Sequence, residues 1–129
     1  MYWDLPEPLV VTEAMRSPQQ PGVDGPANLL AAVLTAAAPE SRELGVLVAL
    51  NDEVHAAARV RKSDSTALGA FSSSPFGPLA RIHEGRVCFA NRPTGRPAGL
   101  HCPVPAVTGI RTWHCWTPIS VIAVNCCGW

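Results

Sequence analysis

A continuous apolar run at residues 45–50 places the strongest constraint on how this chain folds. The run has the length of a strand and does not alternate with polar residues, which is typical of a strand buried on both faces. A β-branched run at residues 8–12 predicts an earlier buried strand. Between them, residues 28–38 are apolar nearly all round and predict a helix that is covered on more than one side.

Asp24 and Pro26 mark the start of this helix, because a carboxylate accepts from free backbone N–H groups and proline fits the first turn. Strand, helix and strand predict a βαβ unit with a right-handed crossover and a parallel sheet. Farther along, residues 80–83 and 86–89 flank Glu84-Gly85 and predict a β-hairpin. The predicted fold class is α/β, with a βαβ unit in a partial parallel sheet, then a hairpin and an irregular C-terminal tail.

Composition excludes several function classes. A chain of 129 residues with 47% hydrophobic residues has room for one globular domain. Its formal net charge of zero removes the electrostatic argument for nucleic acid, whose backbone selects clustered lysine and arginine. The first six residues contain no cationic segment before an apolar stretch, so neither a signal peptide nor a membrane span is expected, and the expected compartment is the cytoplasm.

Lys62 is the only lysine of the chain and lies among hydroxyl side chains after the apolar run. Ligands of parallel α/β sheets bind beyond the carboxyl ends of the strands, so the loops after Thr12 and Leu50 should face one site. Because Lys62 follows the second loop, it is a candidate catalytic amine. The alternative is a solvated surface lysine, which would remain an inert cation.

Cysteine and histidine in the last part of the chain suggest a second kind of site. His101-Cys102 and His114-Cys115 offer imidazole and thiolate ligands that suit zinc, although paired Cys-x-x-Cys segments are missing. Reduced thiols are the expected state of the five cysteines in a chain without a secretory signal, and disulfides are the remaining alternative.

Six blocks of sequence together resemble the bacterial L-asparaginase family, in the order and nearly the spacing of that family. The blocks are residues 14–16, 24–29, 45–52, 62–66, Phe71 and 76–79. The resemblance spans residues 8–93 and identifies residues 1–96 as part of the family's N-terminal α/β domain, truncated at both ends.

The resemblance implies hydrolysis of the side-chain amide of L-asparagine to aspartate and ammonia, with glutamine as a weaker substrate in some members. It also implies a homotetramer and no cofactor or metal. In the family a threonine of a Thr-Gly-Gly-Thr segment attacks the amide, and a lysine completes a second group with a Thr-Asp pair. Lys62 matches that catalytic lysine, and Ala14 matches a position that lines the substrate pocket.

Several positions depart from the family pattern. The family's threonine before the lysine is Arg61, its Arg-Asp pair is Ala58-Arg59, and its glycine before Ala14 is Glu13. A glutamate there can lose a backbone conformation with positive φ and bring a carboxylate to the substrate position, unless its side chain points to solvent.

More important, neither a Thr-Gly-Gly-Thr nor a Thr-Asp-Thr segment occurs in these 129 residues. A covalent mechanism then lacks its nucleophile, so we expect no asparaginase activity from this chain alone. A local hydroxyl from Ser63, Ser65 or Thr66 paired with Lys62 is an alternative nucleophile, since serine and lysine form such pairs in some hydrolases.

Residues 97–129 change in composition, with three tryptophans and no acidic residue or lysine, and are expected to be a divergent, frameshifted or poorly ordered tail. Residues 119–124 are the segment expected to form a strand or to aggregate. Two other interpretations remain open. One is a non-enzymatic α/β remnant that binds a partner subunit, and the other is a piece of the asparaginase-like subunit of a glutamyl-tRNA amidotransferase.

Overall fold

The sequence folds around one mixed β-sheet with a helix on one face. The computed structural model describes residues 6–94 and the backbone of residues 120–123. Within these residues the elements are, in chain order, β1 (Leu9–Thr12), α1 (Gly25–Ala37), a short 3₁₀ helix (Pro39–Ser41), β2 (Val46–Leu50), β3 (Glu53–Ala56), β4 (Arg61–Lys62), β5 (Phe71–Ser72), β6 (Ala80–His83), β7 (Arg86–Phe89) and β8 (Ser120–Ala123).

The strand order of the main sheet is β7-β6-β3-β2-β1-β8, and β4 and β5 form a separate two-stranded ribbon. β1 pairs in parallel with both β2 and β8, which confirms the parallel βαβ unit. β3, β6 and β7 are antiparallel to their neighbours, so the predicted partial parallel sheet is one half of a mixed sheet.

Helix α1 begins near the predicted position, but not through the predicted cap. Pro26 lies in its first turn, and the helix ends before Pro39, where Ala38 is already extended with ψ of 124°. Asp24 precedes the helix, yet its carboxylate makes no capping hydrogen bond to the first turn. It accepts from the backbone N–H groups of Met15 and Arg16 instead, so the capping prediction was wrong.

The packing of α1 corrects a second expectation. Its small residues Ala31, Ala32 and Ala36 are buried and lie against the sheet, where they allow a close approach. Leu29, Leu30 and Val33 face away and are exposed, Leu30 to 59%, whereas Leu34 packs against the core. A helix covered on more than one side was predicted, but within the described residues only one face of α1 is covered.

Two tight turns shape the sheet. Glu84 and Gly85, with φ of 49° and 74°, close the predicted β6–β7 hairpin. Asn51 and Asp52, with φ of 48° and 59°, join β2 to β3 in the same manner. The sequence prediction missed β3 and treated Leu50 as the start of a loop leading to Lys62. The polar Asn-Asp pair between apolar residues was the signal for a hairpin.

Burial varies along β2. Val46 and Val48 are half-buried, whereas Leu50 is only 2% exposed. At the sheet edge, β8 confirms the strand predicted within residues 119–124. The rest of the predicted tail lies outside the described residues.

A buried polar chain ties the β4–β5 ribbon to this sheet. His55 in β3 is 1% exposed, and its Nδ1 lies 2.9 Å from Oγ of Ser73, which follows β5. Its Nε2 lies 3.4 Å from Oε2 of Glu53, whose Oε1 contacts Arg81 Nη2 at 2.6 Å. The order Ser, His, Glu resembles a hydrolytic triad, but Ser73 is 3% exposed, so this chain of contacts serves as a structural joint.

Burial lowers the pKa of His55 from its ordinary value of 6.5, because desolvation disfavours the imidazolium more than Glu53 favours it. The unfolded chain therefore binds a proton more readily than the folded chain. The stability that this histidine confers is complete above pH 6.5 and is lost as the pH falls below that value.

We therefore predict that the free energy of unfolding, measured by urea titration, falls between about pH 7.5 and about pH 5.5. His55→Gln should remove most of this pH dependence, whereas His83→Gln, at an exposed position of β6, should retain it. An equal pH dependence in wild type and His55→Gln would contradict the assignment.

Candidate functional site

The carboxyl ends of β1 and β2 form the edge at which the sequence places a site. Because the two strands are parallel and in register, the segment after Thr12 and the turn at Asn51 emerge at the same edge. Lys62 reaches this edge from the β4–β5 ribbon rather than from the turn after Leu50. Its Nζ lies 3.6 Å from Oε1 of Glu13, so the structure brings the predicted lysine to the predicted segment.

Asn28, in the first turns of α1, holds this edge together. Its side chain is 3% exposed and bonds three separate segments. Nδ2 donates to the carbonyl of Glu13 and to Oδ2 of Asp24, both at 2.9 Å, and Oδ1 accepts from the backbone N–H of Asn51 at 3.0 Å. One amide thus links the end of β1, the start of α1 and the β2–β3 turn.

Asp24 fixes the other end of the same segment. Its two carboxylate oxygens accept from the backbone N–H groups of Met15 and Arg16, each at 2.9 Å. Burial alone would raise the pKa of Asp24, but these backbone donors and Asn28 outweigh it, and the pKa lies below its ordinary value of 3.8. The carboxylate is therefore ionised at neutral pH and acts as an acceptor for the turn.

Arg16 connects the segment 13–16 to the loop that follows it. Arg16 folds back so that Nη1 donates to the carbonyl of Gly22 at 2.9 Å. Gly22 has φ of 71°, and a Cβ there would lie 2.4 Å from the same Nη1, so the turn requires glycine. This guanidinium is engaged in holding the backbone and is not directed at a ligand.

Ala14, the predicted pocket residue, lies in the segment between Glu13 and Met15 and is half-buried. A Cβ built on Gly25 would meet the Cβ of Ala14 at 3.4 Å, which shows how closely α1 approaches this segment. An open cleft of about 340 Å³ lies next to it. The cleft is lined by Met15, Arg16, Gln20, Pro21, Ser65 and Thr66. It joins the β1 segment to the loop that follows Lys62.

Two of the three hydroxyl groups that the sequence places near Lys62 bond to other groups, and that of Ser65 belongs to a residue lining the cleft. Ser63 Oγ donates to the carbonyl of Ala70 at 2.9 Å, and Thr66 Oγ1 donates to Oδ1 of Asp64 at 3.2 Å. Asp64 also accepts from two backbone N–H groups of the loop, which lower the pKa of its carboxyl. This loop is a self-contained polar turn, and the proposed pairing of a local hydroxyl with Lys62 stays a prediction.

The structure distinguishes the two alternatives that the sequence left open for Glu13. Glu13 does not have a positive φ. Among the non-glycine residues of 6–94, positive φ occurs at Glu43, Asn51, Asp52 and Glu84. The glutamate therefore fits the backbone without strain. Its side chain does not point to solvent, since it is 13% exposed and faces Lys62.

Lys62 itself is 41% exposed, and its Nζ lies 5.3 Å from the ring centroid of Phe71 on the paired strand. A carboxylate and an aromatic face are both surroundings that suit a cation. A lysine that acts as a base must be neutral, which calls for burial or a neighbouring positive charge. The observed surroundings are therefore those of an ion pair.

The residues that the structure describes contain neither a cluster of metal ligands nor a membrane-spanning helix. No three His, Cys, Asp or Glu side chains of the described residues gather where a metal ion could be held, and the zinc candidates at positions 101, 102, 114 and 115 lie outside them. Helix α1, with 13 residues, is too short to cross a membrane, and no other described helix could do so. Cys88 is an exposed thiol.

Comparison with known proteins identifies a family and several relatives. The family model described as "Asparaginase, N-terminal" matches residues 1–95. A protein named "Probable L-asparaginase periplasmic" from Haemophilus influenzae is 40% identical over 90 residues, which are 70% of this chain and 26% of that protein. "L-asparaginase 2" of Escherichia coli is 40% identical over 87 residues, which are 67% of this chain and 25% of that protein.

The fold has a solved counterpart. A probable cytoplasmic L-asparaginase from Campylobacter jejuni matches with a TM-score of 0.65 and 40% sequence identity, covering 67% of this chain and 28% of that one. The fold defines an α/β protein with a mixed sheet and one helix packed on it. The chain belongs to the asparaginase family, whose N-terminal domain it matches, and it spans about a quarter of the length of the curated relatives.

We predict that Asn28→Ala destabilises the fold by about 3 kcal/mol, because it leaves buried partners on three segments without their hydrogen bonds. Leu30→Ala, at an exposed position of the same helix, is the matched control and should change stability by less than about 0.5 kcal/mol. Urea unfolding measures both. Equal effects in the two variants would show that the network does not hold the edge.

Proposed function

We propose that this chain supplies the lysine-bearing edge of a site that hydrolyses the side-chain amide of L-asparagine. In this reaction water replaces the amide nitrogen, the C–N bond breaks, and aspartate and ammonia are formed. Lys62 is the catalytic amine, and Ala14 lines the pocket for the substrate. The observation that carries the proposal is the position of Lys62, which reaches the carboxyl edge of β1 and lies 3.6 Å from the first residue of the segment containing Ala14.

The role of Lys62 follows from what an amine can do at this position. A general base takes the proton from an attacking hydroxyl, and this contribution is on the order of 100-fold to 10,000-fold in rate. The hydroxyl nucleophile has to come from outside these 129 residues, because the family's threonine segments are absent from them. The chain therefore contributes a base and a pocket wall, and it needs a partner segment for the chemistry.

Relatives support the substrate class. The printed names of the Haemophilus and Escherichia relatives are those of L-asparaginases. A relative from Pseudomonas fluorescens, 36% identical over 90 residues, is named "Glutaminase-asparaginase". Glutamine is therefore included as a second substrate in each test. The name of the Campylobacter protein supports a cytoplasmic location for this chain, whereas the Haemophilus relative is named as periplasmic.

The chain by itself is expected to release no ammonia from L-asparagine or L-glutamine. The physical reason is the missing nucleophile, without which no acyl intermediate forms. A coupled ammonia assay on the purified 129-residue protein makes the measurement. Asparagine-dependent ammonia release that disappears in Lys62→Ala would show that a local hydroxyl does serve as nucleophile.

A chimera tests the role of Lys62 directly. The matching 87-residue segment of Escherichia coli L-asparaginase 2 is replaced by the corresponding part of this chain, with Glu13→Gly restoring the family residue. The chimera should hydrolyse L-asparagine, and Lys62→Met within it should lower kcat by on the order of 100-fold or more.

The matched control for charge in this chimera is Arg86→Met, which removes a cation from exposed strand β7. Its kcat should stay within about twofold of the parent chimera, because surface substitutions away from a site have small effects. If Lys62→Met and Arg86→Met behave alike in a folded chimera, Lys62 has no catalytic role. Circular dichroism of each variant establishes that it is folded.

A further inference from the structure

The buried carboxylate of Glu13 carries an inference that rests on the proposed function and deepens it. Its Oε1 is buried and has no hydrogen-bond partner among the residues that the structure describes. Its charged contact is Nζ of Lys62, at 3.6 Å, which is too long for a hydrogen bond. Burial of an ionised carboxylate is unfavourable unless a cation or donor compensates it, so the position of Lys62 is tied to that of Glu13.

The backbone of Glu13 is held on both sides, which fixes the direction of its side chain. Before it, Thr12 Oγ1 donates to the carbonyl of Ala49 at 2.7 Å. Its own carbonyl accepts from Nδ2 of Asn28 at 2.9 Å. The carboxylate therefore projects from a rigid part of the edge, whereas Lys62 comes from a ribbon with only two paired residues on each strand.

We propose that Glu13 is a specificity-determining residue. Its carboxylate occupies the position beside Lys62 at which the carboxylate or amide oxygen of a small amino-acid ligand would bind. An approaching ligand that carries a carboxylate is repelled by Glu13 and finds the amine already paired. Removal of the charge at position 13 frees the amine for such a ligand. In this chain Glu13 therefore competes with an amino-acid ligand for the amine of Lys62.

Lys62 offers a direct readout, because it carries the only side-chain amine of the chain. The full-length protein is acetylated with an amine-reactive ester at one fixed pH, and mass spectrometry of peptides separates Lys62 from the α-amine of Met1. We expect Lys62 to react about two- to fivefold faster in Glu13→Gln than in wild type, as loss of one partly exposed ion pair allows. Because free amino acids consume part of the ester, labelling of Lys62 is expressed relative to that of the Met1 α-amine in the same sample. Millimolar L-aspartate or L-asparagine should lower this ratio in Glu13→Gln and leave it unchanged in wild type.

Two further variants make the test decisive. Glu7→Gln removes another half-buried carboxylate, one that pairs with Arg42, and should leave the labelling of Lys62 at the wild-type rate. Glu13→Ala removes both the charge and the side chain beyond Cβ. It should behave like Glu13→Gln, and it replaces that variant if Glu13→Gln does not fold.

Equal labelling rates in wild type and both Glu13 variants would overturn the proposal. The proposal would also be overturned if labelling of Lys62 were faster in the Glu13 variants but neither amino acid slowed it. Glu13 would then not occupy the position of a ligand. The two experiments are independent. The labelling experiment does not measure ammonia release, and the chimera has glycine rather than glutamate at position 13. An inactive chimera would therefore count against the proposed function, and an unresponsive Lys62 against the role of Glu13.

Discussion

The site edge depends on one buried amide, that of Asn28. Parallel strands deliver the ends of β1 and β2 to the same side of the sheet, but parallel pairing does not fix what the chain does beyond Thr12 and Leu50. Asn28 supplies that constraint, since its two donors and its acceptor each reach a different segment. Buried polar groups stabilise a unique arrangement only when every partner is satisfied, and here the three segments satisfy one another.

Small residues in α1 make this arrangement possible. Ala31, Ala32 and Ala36 bring the helix axis close to the sheet, so that a side chain in the first turns can reach the backbone of Glu13 and Asn51. The same choice leaves Leu29, Leu30 and Val33 on the outer face. Apolar composition alone therefore did not predict which side of α1 is buried, because both sides carry apolar residues and only the side with Ala31, Ala32 and Ala36 packs on the sheet.

Much of the framework could be predicted from local patterns. The runs at 8–12 and 45–50, the helix between them, and the Glu84-Gly85 turn each carry a periodicity or a turn signal, and all four elements are present. What could not be predicted depends on contacts between distant residues. β3 is held by pairing with β2 and β6, and the role of Asp24 depends on backbone donors 8 and 9 residues before it. The joint between His55 and Ser73 spans 18 residues and has no local signature.

The chemical role of Lys62 likewise depends on a residue that is distant in the sequence. Its position in the sequence predicts that it reaches the edge formed by β1 and β2, and it does, but its nearest charged contact is set by the residue opposite. With glycine at position 13, no side chain at that position would face the amine. With glutamate there, the amine faces a buried carboxylate that has no other charged contact in residues 6–94. The glutamate just after β1 thus places a carboxylate 3.6 Å from the candidate catalytic amine, at a backbone position without positive φ.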